Sequence, residues 1–263
     1  MRLHVVEWGT PDGPALVCAH GVTSHSLRFR RLAERLPERR IVAVDLRGHG
    51  YSEWEPPWDL ATHVGDLLET AAALGIERAD WMGHSFGGRL ALELAAGEPE
   101  RVHRLVLLDP AVWVPPPRAL AIAEQVRADE SFASPAEAVD ARLAGGGIPH
   151  TARSVLDDEL PEHLQQGDDG RWRYRYSRAA VVAAYGEMAK RPPLEQVRAP
   201  ALIVRGDETE VLPPALVAST RELYAGELEV VDVPGGHIVM WDALEETAEA
   251  IRRFLSRADM AGV

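Results

Sequence analysis

Gly83-His84-Ser85-Phe86-Gly87-Gly88 lies between a short apolar run, Ala79 to Met82, and an alanine- and leucine-rich segment, Arg89 to Ala96. The order is strand, very tight turn, helix, with a serine at the apex. Gly83 and Gly87 flank Ser85 at i−2 and i+2, where side chains collide if the turn is sharp. Such a turn holds a hydroxyl clear of the backbone, at the start of a helix whose first N–H groups have no partners. Those donors suit a negatively charged oxygen developing beside the serine. Ser85 is therefore read as a nucleophile, and the N–H of Phe86 as one donor to the oxyanion.

Outward from this turn, apolar runs alternate with helical patterns. Strands are predicted over Leu3 to Trp8, Ala15 to Ala19, Ile41 to Leu46, Arg104 to Asp109, Ala201 to Arg205 and Leu228 to Val233. Helices are predicted over Ser26 to Leu36, Leu60 to Leu74, Pro214 to Tyr224 and Ala243 to Leu255. Short apolar strands separated by helices imply an α/β fold, a doubly wound and mostly parallel sheet covered on both faces. The rhythm breaks between Ala111 and about Pro200, where no strand is evident. Helical stretches near Arg118 to Ala128 and Pro135 to Leu143 stand there with Pro115-Pro116-Pro117, the turn Gly145-Gly146-Gly147 and a polar patch around Gly167 to Gly170. Residues 1–110 and 201–263 thus form the core, and 111–200 an inserted helical lid. Ligands of such sheets bind beyond the carboxyl ends of the strands, where the insert leaves and returns. Among its aromatic residues, Trp113, Trp172, Tyr176 and Tyr185 are candidates to line an apolar substrate pocket.

A serine needs a base. Of ten histidines, His237 follows a strand and two glycines in Val233-Pro234-Gly235-Gly236-His237, on the same rim as Ser85. The third partner is a carboxylate that orients the imidazole. Asp207, Glu208 and Glu210 in the loop after Ala201 to Arg205, and Asp109 at the end of its strand, all compete for this role. A second oxyanion donor is expected from His20-Gly21-Val22-Thr23, where Gly21 lets the backbone turn and aim the Val22 N–H.

The formal net charge of −13 argues against a nucleic-acid partner and against adhesion to anionic membranes. Cys18, the only cysteine, lies in an apolar run and reads as a buried thiol. No pair of histidines has metal-ligand spacing, and neither a metal nor an organic cofactor is expected. The N-terminal residues lack the charged-then-apolar pattern of a secretory signal, so a cytoplasmic enzyme is the expectation.

Together these residues resemble the α/β-hydrolase superfamily. The resemblance rests on His20-Gly21, Asp45-Leu46-Arg47-Gly48-His49-Gly50-Tyr51-Ser52, the Ser85 turn, Leu107-Leu108-Asp109-Pro110 and Pro234-Gly235-Gly236-His237. The Asp-x-Arg-Gly-His-Gly-x-Ser stretch is similar to the branch holding small carboxylesterases, lactonases, C–C bond hydrolases, epoxide hydrolases and haloalkane dehalogenases. A serine rather than an aspartate at the turn points within that branch to acyl transfer. Some relatives carry the acid three residues after the glycine of the late loop, where this chain has Thr209; others carry it one place later. Glu210 matches that second slot, and the resemblance assigns it as the acid. It implies a serine carboxylesterase acting on small to medium apolar esters. Lactonase or C–C bond hydrolase activity on the same triad, or a non-catalytic small-molecule receptor, are the alternatives.

Overall fold

A computed structural model describes residues 1–128, 130–145, 148 and 150–257. Strands β1 (Val5–Gly9) and β2 (Ala15–Ala19) are followed by a 3-10 turn, Ser26–Phe29, and the short helix α1 (Arg30–Ala33). The single helix expected over Ser26 to Leu36 is thus tightened in its first half. Next come β3 (Arg40–Val44), α2 (Leu60–Ala73), β4 (Ala79–His84), α3 (Phe86–Gly97) and β5 (Val102–Leu108). The stretch after β5 carries α4 (Pro116–Val126), α5 (Pro135–Ala144), α6 (Arg153–Glu159), a hairpin of β6 (Leu164–Gln166) and β7 (Trp172–Tyr174), and α7 (Arg178–Met188). The chain closes with β8 (Ala201–Gly206), α8 (Pro214–Leu223), β9 (Leu228–Val233), α9 (Val239–Asp242) and α10 (Leu244–Leu255).

Seven strands form one sheet in the order β1-β3-β2-β4-β5-β8-β9, and every pairing except β1 with β3 is parallel. The central strands are buried on both faces, which is why they read as continuous apolar runs. On β5, Leu105 and Leu107 join the core beneath α2 and α3, while Val106 and Leu108 join the core beneath α1 and α10. Helix α10 shows the matching amphipathic pattern: Ala248, Ile251, Phe254 and Leu255 are buried. Its first turn holds Glu245 and Glu246 and its last Arg252 and Arg253, the charge order that the helix dipole favours.

The segment between β5 and β8 packs on both sides of the sheet's carboxyl edge. Val181, Ala184 and Met188 of α7 extend one core, and Ala138, Val139, Val155 and Leu156 of α5 and α6 extend the other. It is not wholly helical. The polar patch at Gly167 to Gly170 is the turn of the β6–β7 hairpin, with Gly170 at φ 73°. Gly146 and Gly147 of the triple-glycine turn lie outside the described residues. Among the described residues no helix is long and apolar enough to cross a membrane.

Candidate active site

Ser85 joins β4 to α3 at φ 54° and ψ −115°. A residue with a β-carbon is strained there by about 1–3 kcal/mol, so its surroundings must enforce the conformation. They do: the Ser85 N–H donates to the Leu108 carbonyl at 3.1 Å, and its own carbonyl accepts from Ala111 at 3.0 Å. The flanking glycines are obligatory. A β-carbon on Gly83 would stand 2.2 Å from the Gly87 carbonyl oxygen, and one on Gly87 2.0 Å from that of Ala19.

Asp109, one step beyond β5, is the only other non-glycine described residue at positive φ (38°). Its carboxylate is fully buried. Oδ2 lies 2.5 Å from Nδ1 of His237 and accepts from the Thr209 hydroxyl at 2.6 Å. Oδ1 has no protein partner among the described residues. An ionised carboxylate only accepts, so the network assigns the imidazole proton to Nδ1 and leaves the Nε2 lone pair free. The His237 side chain is about a quarter exposed (26%) and lines the same cavity as Ser85. The loop that carries it is tied by two carboxylates: the Gly235 N–H donates to Asp207 and the Gly236 N–H to Asp242, both at 2.9 Å.

This arrangement corrects the expectation that Glu210 partners the histidine. The Glu210 side chain is 87% exposed and reaches Arg118 at 3.5 Å. The other two candidates are also engaged elsewhere, Asp207 on the histidine loop and Glu208 on His150 at 2.8 Å. Thr209 occupies the place where some relatives carry the acid, and its hydroxyl steadies the carboxylate supplied by the neighbouring strand. His84 lines the same cavity but bonds elsewhere than to the serine hydroxyl. It packs on His237 with ring centroids 4.7 Å apart and donates from Nε2 to the His237 carbonyl at 3.1 Å. Burial, with the nearby His237, holds its pKa well below the usual histidine range.

Two further histidines shape the loop after β2. The Leu46 N–H donates to His20 Nε2 at 3.0 Å, so Nδ1 carries the proton and donates to the Gly21 carbonyl at 2.7 Å. In a trans peptide the C=O of one residue and the N–H of the next point in opposite directions. Anchoring the Gly21 oxygen therefore fixes the direction of the Val22 N–H, which meets no protein acceptor among the described residues. His49 donates from Nε2 to the Val22 carbonyl at 2.6 Å and fixes the next peptide plane. Burial lowers the pKa of both rings, well below the ordinary range for His20. The rest of the Asp45–Ser52 stretch braces this loop. Asp45 accepts from the N–H groups of Ser26 at 2.7 Å and Tyr51 at 3.0 Å, and Arg47 forms a two-pronged pair with Asp66. Phe86 opens α3, where helix geometry supplies no acceptor for its N–H. The part that His20 and His49 play lies in bonds across to other loops, which sequence spacing does not reveal.

Ser85 and His237 open into a cavity of about 440 Å³. Trp113, Tyr176 and Tyr185 line it, joined by Tyr174, Met188 and Trp241. Trp172 does not. Its backbone exchanges two hydrogen bonds with Phe132 at 2.8 Å, and its ring packs into the core beneath α5 and α6.

Comparison with known proteins agrees with this architecture. The α/β-hydrolase fold family matches residues 14–244. Lipase LipV of Mycobacterium tuberculosis is 38% identical over 254 residues, spanning 95% of this chain and 96% of that one. The 2-(acetamidomethylene)succinate hydrolase of Mesorhizobium japonicum is 32% identical over 259 residues, 97% of this chain and 92% of the relative. A crystal structure of E-2-(acetamidomethylene)succinate hydrolase superposes with a TM-score of 0.86 at 30% identity, covering 97% of this chain and 95% of that one. The chain belongs to the α/β-hydrolase family and is a hydrolytic enzyme.

Proposed function

We propose that the protein cleaves carboxylic esters of small to medium size through a covalent acyl-enzyme, with Ser85, His237 and Asp109 as the triad. The observation that carries this reading is the 2.5 Å contact between His237 Nδ1 and the buried Asp109 carboxylate, with Ser85 held at positive φ on the same cavity. A carboxylate on Nδ1 keeps the imidazole in the tautomer whose Nε2 accepts a proton, and stabilises the imidazolium that results. The similarity to a protein named a lipase favours an ester over other acyl compounds.

In the first half-reaction His237 Nε2 takes the Ser85 proton as Oγ bonds to the ester carbonyl carbon. The carbonyl oxygen becomes an anion held by the Val22 and Phe86 N–H groups, and removing one such donor costs roughly 10²–10³ in rate. Collapse breaks the bond to the alcohol oxygen, which receives the proton from His237 and departs. Water then attacks the acyl-enzyme, passing one proton to His237; the carbon–Oγ bond breaks and Ser85 recovers its proton. Residues 111–200 act as a lid in this scheme, with Trp113, Tyr176 and Tyr185 against the substrate.

The test is turnover of p-nitrophenyl esters by the wild type, with a burst of one p-nitrophenol per active site in stopped flow if deacylation is slow. Ser85→Ala must abolish turnover. Tight binding of ligand without repeated turnover points instead to a receptor.

A further inference from the structure

One wall of the cavity is built differently from the rest. Among the described residues, three arginines, Arg28, Arg118 and Arg142, and one carboxylate, that of Glu130, line the cavity. This is an unusual excess in a chain of net charge −13. Arg28 is the most constrained of them. It sits on the 3-10 turn after the Val22 loop and is only 7% exposed. Its guanidinium carbon lies 3.8 Å above the Trp241 ring. Its Nε lies 3.1 Å from Oε2 of Glu159, which also accepts from the Trp241 indole N–H at 2.8 Å. The guanidinium is thus held from one side, and its two terminal nitrogens donate to no protein acceptor among the described residues. Burial, offset by Glu159, brings its pKa down to about 10, so it remains charged at neutral pH.

The neighbours share this lack of partners. His163 is 2% exposed, lines the cavity, and has neither ring nitrogen hydrogen-bonded among the described residues. It stacks on His25, centroids 4.3 Å apart, and stands 5.5 Å and 5.9 Å from the rings of Tyr174 and Tyr176. Burial and the charge of Arg28 push its pKa well below the histidine range, leaving a neutral ring with one donor. The Ser24 hydroxyl is likewise buried without a partner among the described residues. Native structures rarely leave such groups unsatisfied, and each carries a desolvation cost unless something supplies a partner. The patch turns donors (guanidinium, imidazole N–H, hydroxyl) to the cavity, and its buried carboxylate, Glu159, stands behind Arg28 with Oε1 unpartnered among the described residues. A forked guanidinium suits a carboxylate, which accepts two parallel hydrogen bonds from it.

We propose that Arg28 and His163, with Ser24, form a subsite for a carboxylate on the substrate, so that the preferred substrates are esters carrying a second, anionic carboxyl group. The inference rests on the acyl-transfer reading for its substrate class, but the subsite itself is a binding claim that stands separately. Glu159 serves here as a positioning residue that orients Arg28 from behind.

The experiment compares kcat/KM for p-nitrophenyl butyrate and the p-nitrophenyl monoester of glutaric acid at pH 7. It is paired with a tryptophan-fluorescence titration of Ser85→Ala by glutarate. The test variant is Arg28→Met combined with Glu159→Gln, which removes both charges and leaves no buried carboxylate unpaired. The wild type should prefer the glutarate monoester at least about tenfold, the size of one good polar contact. In the double variant that ratio should fall to one or below, and saturable glutarate binding should disappear when the variant is placed in the Ser85→Ala background. If the double variant does not fold, Arg28→Lys, which keeps the charge but loses the fork, should lower the ratio at least about threefold. Brisk turnover of the butyrate with no preference for the glutarate monoester, and no saturable binding of glutarate, overturns the subsite and leaves acyl transfer intact. Saturable, Arg28-dependent glutarate binding without turnover of either ester upholds the subsite and overturns acyl transfer.

Discussion

At Gly87, on the rim of the sheet, an added β-carbon would stand 2.0 Å from the backbone oxygen of Ala19; at Gly186, in α7, it would meet nothing within 4 Å. The two positions typify the regions they belong to. Around Ser85 the elements approach so closely that their backbones define each other's path, and the two strained non-glycine residues, Ser85 and Asp109, both fall there. The segment from α4 to α7 is joined more loosely, by short helices and a three-residue hairpin resting on both cores. The rim has little freedom to vary without losing its chemistry, whereas the crossing segment can change the cavity wall and leave the rim alone.

The sharpest way to break this contrast is to remove groups on the rim. Ser85→Ala should lower kcat by roughly 10⁶-fold, the scale seen when a triad nucleophile is removed. Asp109→Asn should lower it by about 10⁴-fold, because the amide no longer enforces the productive tautomer of His237. Glu210→Gln should change it by no more than about twofold, since it touches only an exposed ion pair. Steady-state kinetics on one p-nitrophenyl ester decides all three. A collapse in Glu210→Gln with Asp109→Asn active would restore the assignment made from sequence.

The acid shows why that assignment was hard to read. Ser85 and His237 were legible because each is announced locally, one by a glycine-flanked turn and the other by a strand ending in Gly-Gly. The carboxylate is decided by the sheet. In the order β4-β5-β8-β9, both β5 and β8 lie between the serine strand and the histidine strand, so either strand end is near enough. The choice falls on β5 because Asp109 takes a positive φ beneath the Thr209 hydroxyl, while Glu210, one residue past Thr209, faces solvent. Thr209 in the usual acid position was the available clue. The seven strands of the main sheet were legible from apolar runs, but β6 and β7 were not, since three residues are too few for alternation to show.

The glycine pair provides a stability comparison of the two regions. Gly87→Ala should cost about 3 kcal/mol or more in urea unfolding, because backbone on both sides prevents relief of the overlap. Gly186→Ala should raise stability by about 0.5–1 kcal/mol, the ordinary gain for replacing a helical glycine where there is space. Equal effects at the two sites would show that the crossing segment is as tightly determined as the rim.

Acid tests the two regions together. His20, His25, His84 and His163 are buried with pKa values well below the ordinary 6.5, chiefly through loss of hydration, and His63 is held at about 4. The unfolded chain therefore binds protons first. Stability is fully present above about pH 6.5 and is lost as pH falls toward the folded values, by about 2 kcal/mol at pH 5 for His63. The urea midpoint should fall steadily from pH 7 to pH 5. A flat profile across that window would mean the folded protein protonates these rings as readily as the unfolded chain does.

The smallest expected effect lies on the cavity wall, where two tryptophans of the crossing segment looked alike in sequence. Trp113 lines the cavity, half-exposed, with its indole N–H on the Ala189 carbonyl at 3.2 Å. Trp172 faces the core instead, fixed by its backbone bridge to Phe132. Trp113→Ala should raise KM for an apolar ester about tenfold, as expected for a lost apolar contact in a pocket, with a smaller change in kcat. Trp172→Ala should leave KM within about twofold and lower unfolding stability by about 2 kcal/mol, less than a fully buried tryptophan would cost. The two variants separate binding from packing within one segment. If Trp172→Ala also moved KM tenfold at a temperature where it is fully folded, the hairpin would be coupled to the cavity wall, and the loose joining inferred for this region would have to be given up.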